Sequence, residues 1–312
     1  MPDQFVTWEL ADVLVGEPLP GALYLYIDFR FITYRAEGDS VDRMAYDRLD
    51  FKKVKNLFIL ERDKKKFQDW LASRVPAEAA APPLSPENKD FPKAKADAHR
   101  KILDIFQSEH PDKVVAQTLA ASKKLVTEVM KFPFAVKTLA QLQGYSQGTV
   151  DHSLNVSILA TYLAMQMGYS HALILQHVGA GGLLHDIGKM RVRLLDNDDE
   201  KTIEKKMRDH PTIGLRLLES QQKVPNEVKM IIAQHHEAHD GSGYPKGLRG
   251  NNVYDLTRIV SIANTFDGLV ANGKGKLLDR QKAAITTLDQ ELFRKFDPQK
   301  LEKALKILKL GV

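Results

Sequence analysis

Cysteine is absent from all 312 residues of the chain. Disulfides and thiolate metal ligands are therefore excluded, and the composition fits a reducing compartment. Long apolar runs are missing as well, since no stretch approaches the roughly 18 consecutive apolar residues of a membrane span. The opening MPDQFVTWEL lacks the basic region and apolar core of a secretory signal, so cytoplasmic residence is expected. Nor is there a long block of one charge: 45 Lys and Arg are interleaved with 40 acidic residues, for a net charge of +5. Runs such as Arg62 to Lys66 read as solvated faces, and no aromatic-basic platform for nucleic acid is visible. A hydrophobic content of 43% is enough for one large core and a smaller companion.

The sharpest change of composition is an Ala- and Pro-rich stretch almost without large apolar side chains, read as a linker over residues 76–94. Before it, LYLYIDFRFITY (residues 23–34) alternates as a strand pair or a long strand would. LFIL (57–60) then leads into the helical DKKKFQDWLAS. Residues 1–75 are therefore expected to form a small α+β domain. Beyond the linker nearly every segment has helical periodicity, so residues 95–312 should be all-helical and the chain mainly α.

Polar residues interrupt that periodicity at telling places. His152 shares an apolar stripe with Val156, Leu159 and Leu163, and His235 continues the stripe of Val228, Ile231 and Ile232, with His236 beside it. An apolar helix ends in His185 and Asp186, followed by a Gly turn and Lys189. His210 precedes Pro211, which suits a first helical turn. Any one of these histidines alone would more often be a core imidazole bonded to a carbonyl. Several together with a carboxylate would be costly to bury unless a metal ion compensates. Tyr244, between Gly243 and Pro245, reads equally as a turn or a substrate contact, and Glu237 and Asp240 as partners that orient imidazoles.

His152-Ser153, then HDIGK (185–189), HPTIG (210–214) and HHEAHDGSGYPKGLRG (235–250), with a late Phe296-Asp297-Pro298, together resemble the HD-GYP family of metal-dependent phosphohydrolases. The resemblance covers roughly residues 100–310 and leaves the first 75 unassigned. It implies an all-helical domain whose histidines and aspartates hold two, sometimes three, ions, and an activity against the bacterial messenger cyclic di-GMP. By position, His152, His185 and Asp186 would hold one ion, and His210, His235 and His236 the other, with Asp186 bridging. Lys189 would neutralise phosphate charge and Tyr244 touch substrate. Iron is the first expectation for the ions, with manganese and zinc as alternatives.

Three departures qualify this. Gly148 stands where family members with a third ion have glutamate, which favours two. Asn264 stands where the family has an aspartate ligand, with Asp267 one turn further on. NGKGK (272–276) replaces a segment whose arginines would hold the dinucleotide, leaving Lys274 and Lys276 as the substrate-binding cations. The expectation is a binuclear phosphodiesterase for cyclic di-GMP or a related nucleotide. The alternative is a degenerate module that binds nucleotide or a signalling partner protein with little turnover.

Overall fold

The computed structural model describes residues 4–27, 30–42, 45, 46, 48, 49, 52, 54–72, 90–108, 110–131, 148–195 and 198–311. Near the N-terminus, β1 (Phe5–Glu9), β2 (Leu23–Ile27), β3 (Arg30–Arg35) and β4 (Asn56–Leu60) form one antiparallel sheet in the order β1-β4-β2-β3. The alternation read from the sequence gives the sheet two faces. Leu23, Leu57 and Ile59 are fully buried on one face against Phe67 of helix α1 (Lys64–Ala72). The stretch 23–34 gives a strand pair, β2 with β3, in one register from Tyr24 opposite Thr33 to Ile27 opposite Arg30, with a one-residue shift that sets Leu23 opposite Arg35.

The rest of the described chain is helical: α2 (Asp90–Gln107), α3 (Pro111–Met130), α4 (Thr149–Gln166), α5 (Ala172–Leu184), α6 (Glu200–Met207), α7 (His210–Glu219), α8 (Asn226–Gln234), α9 (Asp255–Asn272), α10 (Leu277–Gln290) and α11 (Pro298–Leu310). The chain is thus mainly α with a small sheet. Residues 73–89, most of the expected linker, lie outside the described residues, and its last five, 90–94, are already the first turns of α2. Pro92 fits there because the first turn has no intrahelical partner for its missing N–H.

Two cores hold the helices together. One joins α4, α9, α10 and α11 through residues such as Leu159, Phe266 and Leu305; the other joins α2, α3, α5 and α8 through Ile102, Leu125, Leu183 and Ile232. The Phe296-Asp297-Pro298 motif is a joint between helices. Phe296 is buried, Asp297 caps α11 by accepting from Lys300 N at 3.0 Å, and the same carboxylate pairs with Arg258 of α9 at 3.0 Å. Helix α5 lies close against α4 because Gly182 has no side chain, and a Cβ there would come within 2.8 Å of Ser157 Cα. That contact carries His185, one residue past the end of α5, towards His152 in the first turn of α4. Among the described residues no helix is long and apolar enough to cross a membrane.

Candidate metal centre

The turns that carry the polar motifs pack backbone against backbone. A Cβ on Gly188 would stand 1.9 Å from the His210 carbonyl oxygen, so the turn after Asp186 lies directly on the start of α7. His235 and His236 leave the end of α8 beside it, and α9 closes the far side with Asn264 and Asp267. Loop closure thus gathers in space four motifs spread over more than one hundred residues.

Two groups of side chains result, and both contain Asp186. In one, ligand atoms of His152, His185 and Asp186 lie within 4.8 Å of one another; in the other, those of Asp186, His210, His235 and His236 do. Asp186 divides its oxygens between them. Oδ2 is 3.3 Å from His185 Nε2 and 3.9 Å from His152 Nε2, whereas Oδ1 is 3.1 Å from His210 Nε2 and 3.8 Å from His235 Nε2. Lys189 Nζ reaches back to Oδ2 at 2.7 Å.

Four of the imidazoles are held from behind in the same way. His185 Nδ1 donates to Gly182 O at 2.8 Å, His210 Nδ1 to Met207 O at 2.6 Å, and His235 Nδ1 to Ile232 O at 2.8 Å. His152 Nδ1 donates to Asp267 Oδ2 at 2.7 Å, and Asn155 Nδ2 donates to the other oxygen of Asp267 at 3.1 Å. A neutral imidazole has one N–H, so spending it on Nδ1 leaves each Nε2 as a bare acceptor turned inward.

Those acceptors then face other acceptors. His210 Nε2 and His235 Nε2 stand 2.9 Å apart, and His152 Nε2 is 2.8 Å from Asn264 Oδ1. His185 Nε2 and Asp186 Oδ1 are buried with no hydrogen-bond donor among the described residues, while Asp186 Oδ2 is met by the Lys189 ammonium. Lone pairs this close repel unless a proton or a cation lies between them. A proton is disfavoured, because burial pushes His210, and still more His235 and His236, below the usual imidazole range. Burial also opposes charge on Asp186, but facing His185 and Lys189 holds its carboxyl well below the ordinary carboxylate range. Inward-facing imidazole nitrogens around one ionised carboxylate are a donor set that fits divalent transition metals.

Beside this centre opens a cavity of about 650 Å³ whose lining includes Lys189, Arg208, His236, Tyr244, Lys295 and Phe296. Tyr244 stacks on His236, ring centroids 4.6 Å apart and planes within 16°. Burial, with the charge of Asp186, pushes its phenol up, so the hydroxyl stays protonated. Lys189, only partly exposed, lines the cavity.

A family model for the HD domain matches residues 114–299, three fifths of the chain. The chain belongs to the HD domain family. The chain is 30% identical over 211 residues to the cyclic di-GMP phosphodiesterase PA4108 of Pseudomonas aeruginosa, covering 66% of this chain and 50% of that one. It is 33% identical over 177 residues to the cyclic di-GMP phosphodiesterase response regulator RpfG of Xanthomonas campestris pv. campestris, covering 54% and 46%. The chain spans about half the length of the curated relatives it matches. Bd1817, an HDG"Y"P protein from Bdellovibrio bacteriovorus, shares the fold with a TM-score of 0.54 at 22% identity, covering 98% of this chain and all of that one. The HD-GYP resemblance drawn from the motifs stands.

Other sequence readings of the HD segment need correction. Glu237 is bonded to no imidazole among the described residues; its two oxygens accept from Lys246 N at 2.7 Å and Leu248 N at 2.8 Å and so hold the loop that presents Tyr244. Asp240 accepts from Ser242 N at 2.9 Å and Ser242 Oγ at 2.6 Å within the same loop. Lys274 and Lys276 are not among the residues lining the cavity. They follow α9, which runs on from Asn264 to Asn272, roughly 12 Å at 1.5 Å per residue. Gly148 faces Tyr46 of the N-terminal region, whose ring would lie 3.5 Å from a Cβ there. Arg208, a cation that the sequence reading did not single out, sits with its guanidinium 4.6 Å from the Tyr244 ring centre.

Proposed function

We propose that this HD protein is a metal-dependent phosphodiesterase that hydrolyses cyclic di-GMP or a related cyclic dinucleotide. The observation that carries the reading is the set of inward, proton-free acceptors around Asp186, above all the facing Nε2 atoms of His210 and His235 at 2.9 Å. In this reading His152, His185, Asn264 and one oxygen of Asp186 hold one divalent ion, iron first and manganese or zinc next. The other oxygen of Asp186, with His210, His235 and His236, holds a second. When bound, such ions supply Lewis acidity that acidifies water and draws charge from a phosphodiester.

The protein's own groups do the rest. Asp186 sets the spacing of the two halves, because its oxygens point to different histidine sets. Asp267 and the carbonyls of Gly182, Met207 and Ile232 fix the imidazoles of His152, His185, His210 and His235 by Nδ1, so that these four need no reorganisation when a ligand arrives. Lys189 places a positive charge at the cavity floor, where a phosphate oxygen gains charge in the transition state. Tyr244, held protonated, offers an O–H donor at the cavity wall.

The test is hydrolysis of cyclic di-GMP by purified protein, with His185→Ala as the comparison. Turnover that chelation abolishes and a divalent transition metal restores supports the reading. Tight binding without turnover favours the second reading, a nucleotide-binding module, which the neutral Asn264 in the ligand set supports.

A further inference from the structure

We infer that Arg208 is the anchor for the second, non-reacting phosphate of a cyclic dinucleotide and so sets the preference for two-phosphate over one-phosphate substrates. The inference rests on the phosphodiesterase reading and assigns a substrate contact to a cation that lines the cavity, as Lys274 and Lys276 do not.

A cyclic dinucleotide carries two phosphates on opposite sides of its ring, so a site that cleaves one has to accommodate the other some way from the reacting centre. Lys189 is already committed to Asp186, 2.7 Å away. Arg208 is not committed in this way: no carboxylate among the described residues lies within ion-pair distance of its guanidinium, although Glu204 lines the same cavity. It lies 4.6 Å from the Tyr244 ring centre, and Tyr244 in turn stacks on His236 at 4.6 Å. The guanidinium is therefore one aromatic ring beyond a histidine of the centre, on the wall of the same cavity.

The backbone at this position is tied on both sides. Arg208 ends α6, its N–H bonded to the Glu204 and Lys205 carbonyls at 3.1 and 3.2 Å, and the preceding carbonyl, Met207 O, takes the His210 Nδ1–H. Stacking on an aromatic face leaves the edge N–H groups of a guanidinium free for a bidentate grip on phosphate, and fixes the fork before the ligand arrives. Lysine in the same place would supply charge without the fork.

The experiment compares unaltered protein, Arg208→Ala and Arg208→Lys in three measurements. These are metal content, the dissociation constant for cyclic di-GMP, and the ratio of kcat/KM for cyclic di-GMP to that for bis(4-nitrophenyl) phosphate, which has one phosphate. The expected result for Arg208→Ala is a loss of at least tenfold in both affinity and ratio, about 1.4 kcal/mol, with metal content intact and partial recovery in Arg208→Lys. A protein that hydrolyses cyclic di-GMP with the same ratio and affinity after Arg208→Ala overturns this inference and leaves the phosphodiesterase reading standing. Loss of metal in Arg208→Ala overturns it too, since the residue would then act through His210 or His236. Unaltered protein that hydrolyses the one-phosphate diester but neither binds nor cleaves cyclic di-GMP overturns both.

Discussion

Asp267 holds His152 from behind: its Oδ2 accepts the Nδ1–H at 2.7 Å, and this turns Nε2 towards Asn264 Oδ1, 2.8 Å away. The two polar residues on one face of α9 therefore have different tasks, one orienting an imidazole and the other facing the same point as that imidazole. Asp267→Asn is expected to lower metal affinity at the His152 half by roughly ten- to a hundredfold, the usual cost of losing a carboxylate behind a ligating histidine. Asn264→Asp is expected to tighten the same half by adding charge to it. Competition of each variant against a chelator measures both, and an Asp267→Asn protein that retains metal as tightly as the unaltered one would refute the division of labour.

Lys189 pairs with Asp186 at the cavity floor and stays partly exposed. Lys189→Ala is predicted to lower kcat for a phosphodiester tenfold or more, about 1.4 kcal/mol of transition-state stabilisation, while leaving the metal in place. Rates and elemental analysis on the same preparation decide this. Equal rates would remove Lys189 from the chemistry.

Gly188 is the point at which two motif turns touch, with a Cβ there 1.9 Å from a backbone oxygen. Backbone cannot move aside as a flexible side chain can. Gly188→Ala is expected to cost at least about 3 kcal/mol of stability, beyond ordinary overpacking, and to shift the denaturation midpoint accordingly. A midpoint unchanged within error would show that the two turns are not locked together.

The candidate centre was legible in the sequence to the extent that helical periodicity could place a side chain on a face. His152 and His235 lie on the apolar stripes of α4 and α8, and both are buried in the fold. Periodicity does not report what lies behind a residue. The carbonyls that orient His185, His210 and His235 sit three residues earlier in the chain and are set by backbone geometry at helix ends, which no side-chain pattern reveals. Glu237 and Asp240 were misread for a related reason, because a carboxylate next to histidines in sequence can serve the backbone of its own loop. Arg208 was invisible because its contact is with Tyr244, 36 residues away in the chain, and only loop closure brings the two together. The strand pair and the short β4 near the N-terminus followed from simple alternation of residue type, whereas the order β1-β4-β2-β3 depends on long-range pairing.

His236→Ala separates the two halves of the centre. Among the described residues it finds no rear hydrogen bond like those of the other four, and its ring stacks on Tyr244. The substitution is predicted to deplete the ion of the His210 and His235 half while sparing the His152 half, so that metal per chain falls by about one equivalent. Unchanged stoichiometry would show that His236 is not a ligand.

The most direct measurement is elemental analysis of the full chain, purified without chelator, together with anomalous scattering from its crystals. The account predicts about two transition-metal ions per chain, one on each side of Asp186, and loss of both in Asp186→Ala. A chain that contains no transition metal and takes up none from excess iron, manganese or zinc would contradict it.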